Sequence, residues 1–591
     1  MKAKMKNVEI KERSIMDWAI QFVVTHQLKN KEQWSKYPEA FELREDSSEG
    51  WWRGEFFGKQ MRGATLVYAY TKDEELYEIL TETVKSLLEK QDEFGRISTY
   101  APDNEFFGWD MWCRKYVLVG LLYYYDICKD EELKKQIINA CCRHLDYIVE
   151  KIGDKEGQKP ITATSSWWGC VNSCTILEPT VELYKKTKKE SYLDFAKYII
   201  STGGCSDCNL VELALKDEIF PYQYPVVKAY EMMSFYEGLV AYYEVTGEQK
   251  YFDATCKFFD AVAKSDITII GCSGCTHELF DNSSVKQTEY QENIMQETCV
   301  TVTWIRVLRR LFNLTKNPKY IDWIEQSGYN ALYGSLNTEL NKQWHMFEKR
   351  YFAPMPFDSY SPLYMNTRGR GIGGCMEFKT GGYSGCCIAI GACGIALMPQ
   401  TAVTQGDDGI YFNFLTNSTV KAFDLDGREV EFTISGDYPA KGKIKIEIKS
   451  NNTTRLQLNI RKPNWCEAMS VNGNEVVEDG YYVLSGEFKS GDIVEVDLKF
   501  GLKVHRLNGK VAFTYGAITL AIDEQKASRD LKKTVVVSDK PEYEIVEKED
   551  GEIIRIICKL ENGEELLLTD YQSCGKKWLS DKPLMTVWFN S

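Results

Sequence analysis

From about residue 15 to 400, apolar positions recur at i, i+3, i+4 and i+7, the spacing of one face of a helix. Tyr192, Phe195, Ala196 and Ile199 fit that template fully, and Val307, Leu308 and Leu311 fit it in part. A second pattern overlies the first: an apolar helix end, a polar turn, then a new helix. It appears as YAYTKDEEL ending at Leu76, YYYDICKDEEL at Leu133, ELYKKTKKESYL at Leu193, AYYEVTGEQKYF at Phe252 and LFNLTKNPKYI at Ile321. These points are 57, 60, 59 and 69 residues apart. Two helices of about 12–16 residues plus long loops fill such a period. Five hairpins, with room for a sixth ending near Met398, predict a closed (α/α)6 toroid over residues 1–404. An open solenoid is the alternative, but its repeats are usually about 34–47 residues. A toroid gathers its loops at one mouth, where a site can form.

Near Gln400 the period drops to two. GIYFNFLTNSTVKAF, REVEFTIS, GKIKIEIKS and RLQLNI alternate apolar and polar residues, the pattern of strands. Turn signals such as NGNE, DGYY, SGD and NGK punctuate the remainder. The fold class expected is mainly α with C-terminal β. Residues 405–504 read as a β-sandwich and 505–591 as a second sandwich or β-extension, for support or glycan contact.

Composition narrows the function. The 591 residues are 44% apolar and 27% charged, enough to bury a large core. A net charge of -14 argues against nucleic acid, which needs a basic face, and against a polybasic membrane anchor. No run approaches ~18 apolar residues, and the first residues lack an apolar signal core, so neither a membrane span nor a secretion signal is expected. Nineteen cysteines then suggest a reducing cytoplasm with free thiols. With five histidines, a metal site would rely on cysteines and carboxylates.

Four groups could carry chemistry: QETCVTVTWIRVLRRL with Glu297 and Cys299; GGYSGCCIAIGACG with Cys386 and Cys387; GCSGCTHELF with Cys272, Cys275, His277 and Glu278; and CSDC with Cys205 and Cys208. Cys386 and Cys387 are poor disulfide partners, because adjacent Cα atoms sit ~3.8 Å apart and disulfides usually need ~4.4–6.8 Å. Buried hydrophobes, metal ligands and a nucleophile remain as readings for the pair, set in a glycine-rich loop. Three thiolates and one carboxylate would complete a tetrahedral zinc set, although each cysteine singly is more often a packed small residue. The two CxxC motifs could form an all-cysteine site, but their separation far exceeds that of a zinc ribbon.

ETCVTV, GCSGCTHELF and the GCC of GYSGCCIAIGA together resemble glycoside hydrolase family 127, known for β-L-arabinofuranosidase activity. So do WDMWCRKYVLVGLLYYYD, SCTILEPTVELY, KAYEMMSFYEGL and RKPNWCEAMSVNG, in order along nearly the whole chain. The resemblance implies an (α/α)6 barrel followed by β-sandwiches. It implies zinc (Zn2+) on Glu297, Cys299, Cys386 and Cys387, with Cys386 as nucleophile and Glu278 as acid/base. Glu278 and Glu297 stand 19 positions apart, longer than the family's spacing, which reads as a small insertion around NSSVKQTE.

The chain departs from the family where histidines meet the sugar. Arg114, Ser173 and Lys228 stand in or near those places. Two cations there would recognise an acidic sugar, or else pair with barrel carboxylates such as Glu178 or Glu231. Trp109 and Trp167 are expected to line the site, and His277 adjoins the acid/base. The activity expected is that of a cytoplasmic retaining exo-glycosidase acting on oligosaccharides, including plant-glycan-derived ones, with a homodimer allowed for. An acidic, aceric-acid-like furanoside is the alternative substrate, and a non-catalytic zinc-stapled carbohydrate-binding toroid the alternative class. The shortage of histidines argues against an isomerase or hydratase toroid.

Overall fold

The computed structural model describes residues 7–10, 14–47, 49–274, 278–290, 297–345, 349–357, 362–368, 374–527, 529–577 and 584–591, without the side chains of 7–10, 344 and 345. Helices Gly54–Thr71, Asp110–Ile127, Leu177–Thr187, Ala229–Thr246, Thr298–Thr315 and Cys386–Ala402 pack against one another in that order, and the last closes on the first. This ring is the inner wall of a helical toroid. Outer helices Glu74–Leu88, Glu131–Lys151, Glu190–Ser201, Gln249–Ser265 and Pro318–Ser327 each follow an inner one.

The five polar turns legible in the sequence are the links from inner to outer helices. Asp73, Asp130 and Asn317 cap the outer helices by accepting backbone N–H groups. Gly247 ends the fourth inner helix at φ 72°, a conformation glycine adopts without strain. The sixth unit is built differently. Its inner helix runs directly into strand Val403–Gln405, and helix Ile15–Val23 at the other end of the chain packs against it from outside.

Close packing of the inner ring depends on small residues. A Cβ at Gly58 would lie 1.9 Å from the Tyr116 carbonyl oxygen, so the first two inner helices touch backbone to backbone. Nearly every residue in the first turns of these helices is buried, whereas the outer helices bury one stripe, such as Leu133, Ile137, Cys141, Leu145 and Ile148.

The β region alternates as its sequence does: Ile444, Ile446 and Ile448 are buried while Lys443, Lys445 and Lys449 are exposed. A seven-stranded and a four-stranded sheet form the first β unit. Strand Asn7–Ile10 joins the edge of the larger sheet, pairing antiparallel with Ser418–Phe423. The sequence pattern gave no sign of this strand. An eight-stranded sheet follows, opening with Leu502–Leu507 against Lys510–Tyr515. No described helix is long and apolar enough to cross a membrane.

Arg461 fastens the β region to the barrel. Buried on strand Thr454–Lys462, it binds Asp322 and donates to Glu325 at 2.7 Å, both on the outer helix Pro318–Ser327. Trp465 Nε1 donates to the same Glu325 carboxylate at 2.9 Å. Removing one partner from a buried ionic cluster strands the others, so Arg461→Met should cost about 3–5 kcal/mol in urea unfolding. A loss under about 1 kcal/mol would remove Arg461 as the fastener.

Candidate active site

The inner-helix starts meet at the mouth and bring four acidic groups together. Glu297 is the N-cap of helix Thr298–Thr315, and Cys299 lies in its first turn. Strand Tyr383–Gly385 hands the chain to helix Cys386–Ala402, so the vicinal pair opens that helix rather than sitting in a loop. The run of glycines suggested a loop; the hairpin with Cys375–Glu377 orders it instead.

One ligand atom from each of Glu297, Cys299, Cys386 and Cys387 lies within 4.8 Å of every other, and all four residues are buried. Cys386 Sγ is 3.4 Å from Glu297 Oε1, Cys387 Sγ is 3.6 Å from it, and the two sulfurs are 3.9 Å apart. A tetrahedron with metal–sulfur bonds of ~2.3 Å and metal–oxygen bonds of ~2.1 Å has edges of about 3.5–3.8 Å. The three distances just given lie close to these edges.

The electrostatics agree. Burial, then Glu278 and Cys386, push the Glu297 carboxyl well above its ordinary range, against the pull of Lys228 and Lys59. Burial and hydrogen bonds with Cys386 and Cys387 push the Cys299 thiol well up. Cys299 pulls Cys386 down, but Cys387 and burial leave it well above an ordinary thiol. Four acids confined this closely cannot all ionise without a cation among them. A soft dication accepts this set, and zinc suits its three sulfurs and one oxygen.

Gly374 lies over the cluster at φ 60°, where a Cβ would be 2.5 Å from Cys386 Sγ. If Cys386 takes part in the reaction, Gly374→Ala is therefore expected to lower kcat/KM by roughly 10–100-fold with little change in melting temperature, since a small misplacement of a reacting group can cost ~100-fold. Wild-type activity would show that this contact does not position Cys386.

Glu278 lies beside this cluster, in a short bridge with residues 227–229, at φ 67°. Lys228 Nζ donates to its carboxylate. Burial alone would lower the Lys228 ammonium, but Glu231, Glu278 and Glu297 outweigh it and raise it. The stretch read as an insertion forms one helical turn, Ser283–Lys286.

The other expected residues are placed less uniformly. Trp109 is buried, edge-on to Trp52 and Trp112, with its Nε1 unpartnered among the described residues. Trp167 is 39% exposed and donates to the Glu49 carbonyl at 3.1 Å. Its neighbour Trp168 puts a ring 6.0 Å from Lys228 Nζ. Ser173 is buried and accepts from Thr164 at 2.7 Å. Arg114 is fully buried, bound to Asp110 at 2.9 Å and Glu105 at 3.0 Å, with Phe106 against its guanidinium. It pairs with neither Glu178 nor Glu231; Lys115, about 100° further round the helix, interacts with Glu178 instead. His277 and Cys275 lie outside the described residues. Cys205 is pulled down to about 7 chiefly by the Cys208 thiol, while Cys272 accepts from Thr301 at 3.0 Å. Among the described residues these cysteines do not assemble a metal set.

Sequence reasoning missed two groups, Lys59 and Glu55, and named a third, Glu231, only as an ion-pair partner for the cations. Lys59 donates to Glu55 at 3.0 Å, approaches Cys299 Sγ at 3.8 Å and lies 4.4 Å from the Tyr230 ring centre. Glu55 accepts from Trp112 Nε1. Glu231 is buried with Oε2 unpartnered among the described residues. In the sequence, Glu55 and Lys59 stand four apart, the spacing of an ordinary helix-surface ion pair. The available signal was two charges inside an otherwise small and apolar helix, GEFFGKQM.

Family comparison agrees with the geometry. Residues 3–388 match the GH127 catalytic domain of beta-L-arabinofuranosidase, and residues 409–500 match the GH127 middle domain. A GH127 beta-L-arabinofuranosidase from Geobacillus stearothermophilus T6 superposes with a TM-score of 0.74 at 18% identity, covering 99% of this chain and 100% of that one. A GH127 beta-arabinofuranosidase, BT3674, superposes at 0.76 and 18% identity, covering 100% of this chain and 97% of that one. A search of curated proteins found no match. By its matched catalytic and middle domains, with the (α/α)6 toroid and β region that accompany them, the chain belongs to glycoside hydrolase family 127.

Proposed function

We propose that this protein is a retaining exo-β-L-arabinofuranosidase in which Cys386 is the nucleophile and Glu278 the acid/base. The observation that carries the reading is the buried Glu297–Cys299–Cys386–Cys387 cluster, with Cys386 beneath the mouth and a carboxylate on its rim. Zinc on these four residues would keep Cys386 as a thiolate at neutral pH.

Cys386 Sγ attacks the anomeric carbon while the bond to the leaving oxygen breaks and Glu278 gives that oxygen its proton. Glu278 then takes a proton from water; the water oxygen attacks the same carbon and the C–S bond breaks. Two inversions retain the configuration. Lys228 holds the Glu278 carboxylate in position. Trp109 Nε1 and Glu231 Oε2 offer a donor and an acceptor for sugar hydroxyls.

A neutral sugar fits better than an acidic one. Arg114 is neutralised by Asp110 and Glu105, and Lys228 by Glu278 with Glu231 nearby. A substrate carboxylate would meet carboxylates already in place. The substrate proposed is thus a non-reducing-end β-L-arabinofuranosyl group on an oligosaccharide such as those released from plant glycans.

Elemental analysis should find one zinc per chain. Glu278→Gln should lower kcat/KM by roughly 10²–10⁴-fold on oligosaccharides and less on aryl glycosides with good leaving groups. Zinc without hydrolysis of any aryl furanoside or pyranoside would favour the stapled, non-catalytic class. Equal losses on both substrate types would remove Glu278 as the acid.

A further inference from the structure

Two helical turns below the mouth, the inner ring carries a second polar layer that the proposed reaction does not use. Each inner helix supplies one residue: Arg62, Lys115, Glu178, Glu237, Arg306 and Cys393. Arg306 is seven residues beyond Cys299 and Cys393 seven beyond Cys386, or about 10 Å deeper at ~1.5 Å per residue. Backbone contacts fix the level. A Cβ at Gly63 would lie 2.7 Å from Cys393 N, placing Arg62 beside the sixth helix, and one at Gly238 would lie 3.0 Å from Glu178 N, placing Glu237 beside the third. Arg306 Nε donates to Glu237 at 2.6 Å.

The layer is short of negative charge. It holds three cations, Arg62, Lys115 and Arg306, against two carboxylates, Glu178 and Glu237, all buried. It is also short of acceptors. Among the described residues, Arg62 Nε, Nη1 and Nη2, Lys115 Nζ and Arg306 Nη1 have no hydrogen-bonding partner; Glu237 is taken up by Arg306, which leaves the Glu178 carboxylate. A guanidinium carries five N–H donors and an ammonium three, so one carboxylate cannot satisfy them all. An unpaired buried charge is expensive. Burial, and the Arg306 and Arg62 guanidinium groups, bring Lys115 down to about 7 despite Glu178 and Glu237, as befits a cation with too few anions around it.

We propose that the six inner helices enclose a site for one halide ion, chloride in the cell, held by Arg62 with Lys115 and Arg306. With Lys115 protonated, one monovalent anion makes the layer neutral and accepts from several N–H groups at once. Full burial favours a small spherical ion over a carboxylate or phosphate, which would need several further donors and more room. The site is independent of the metal cluster and of the catalytic reading, and would survive the failure of either.

Crystals of the full-length protein grown in sodium bromide, measured at the bromine absorption edge, test it. The expected result is one anomalous peak on the barrel axis within hydrogen-bonding reach of Arg62. In parallel, the melting temperature should rise saturably in sodium chloride relative to sodium gluconate at equal ionic strength. Arg62→Met should lose that difference; if Arg62→Met does not fold, Lys115→Met takes its place. Water density without an anomalous peak, or wild-type melting that does not distinguish chloride from gluconate, would overturn the proposal.

Discussion

Cys386→Ser is expected to lower kcat/KM on an aryl β-L-arabinofuranoside by roughly 10⁴-fold or more, with KM changed only a few-fold. Losing a nucleophile costs far more than losing a binding contact, because the remaining groups cannot form the covalent intermediate. A serine hydroxyl differs by one atom, so the fold and the other three ligands stay in place. It is neither a soft ligand nor ionised near neutral pH. Cys387→Ser gives the contrast. There the proposed nucleophile remains, and added zinc should restore much of the activity that weakened metal binding removes. The pair of variants separates the two cysteines, which are equivalent as buried neighbours of Glu297 Oε1. Cys386→Ser within tenfold of wild type would end the thiolate mechanism; equal losses in both variants, neither relieved by zinc, would reduce both residues to ligands.

Stripping the metal with a chelator should abolish activity and make stability depend on pH in a defined direction. In the metal-free protein Glu297, Cys299 and Cys386 hold their protons above the ordinary range, for the reasons of burial and crowding given above. Their pKa values are therefore higher folded than unfolded. The native state binds the extra protons, so stability falls as pH rises past the unfolded values, ~4.3 for the carboxyl and ~8.5 for the thiols. In the metal-loaded protein the same groups are already deprotonated, and this slope is absent. All other ionisations cancel in the difference. The gap in melting temperature between loaded and stripped protein should thus widen steadily between about pH 5 and 9.5. Parallel pH profiles for the two forms would show that the cluster does not bind metal through these ligands.

Much of this protein was legible in its sequence. The helical period, the five polar turns and the switch to period two near Gln400 are local signals, and each became the element it announced: Asp73 and Asp130 cap the helices their turns introduce, and Ile444, Ile446 and Ile448 point inward. Spacing alone is a weak signal, with a second adjacent pair, Cys141 and Cys142, elsewhere in the chain; the four cluster residues could be named because of the resemblance to glycoside hydrolase family 127. Their closeness could not, because Glu297 and Cys386 are 89 positions apart and only the closing of the ring brings their helix ends together. Sequence likewise could not separate Arg114 from Lys115. Both are charges on one inner helix, and the register of that helix alone turns the first toward Asp110 and Glu105 and the second toward the axis. Strand Asn7–Ile10 was hidden for a similar reason: four residues carry too little periodicity, and their pairing with Ser418–Phe423 spans some four hundred positions. The sequence by itself determined what is periodic and local, namely the helices, the strands, the turns and the types of side chain available for chemistry. The tertiary structure decided which charges are neutralised and which remain open, since that depends on the few ångströms between side chains of different helices, and periodicity along one helix contains no measure of that distance.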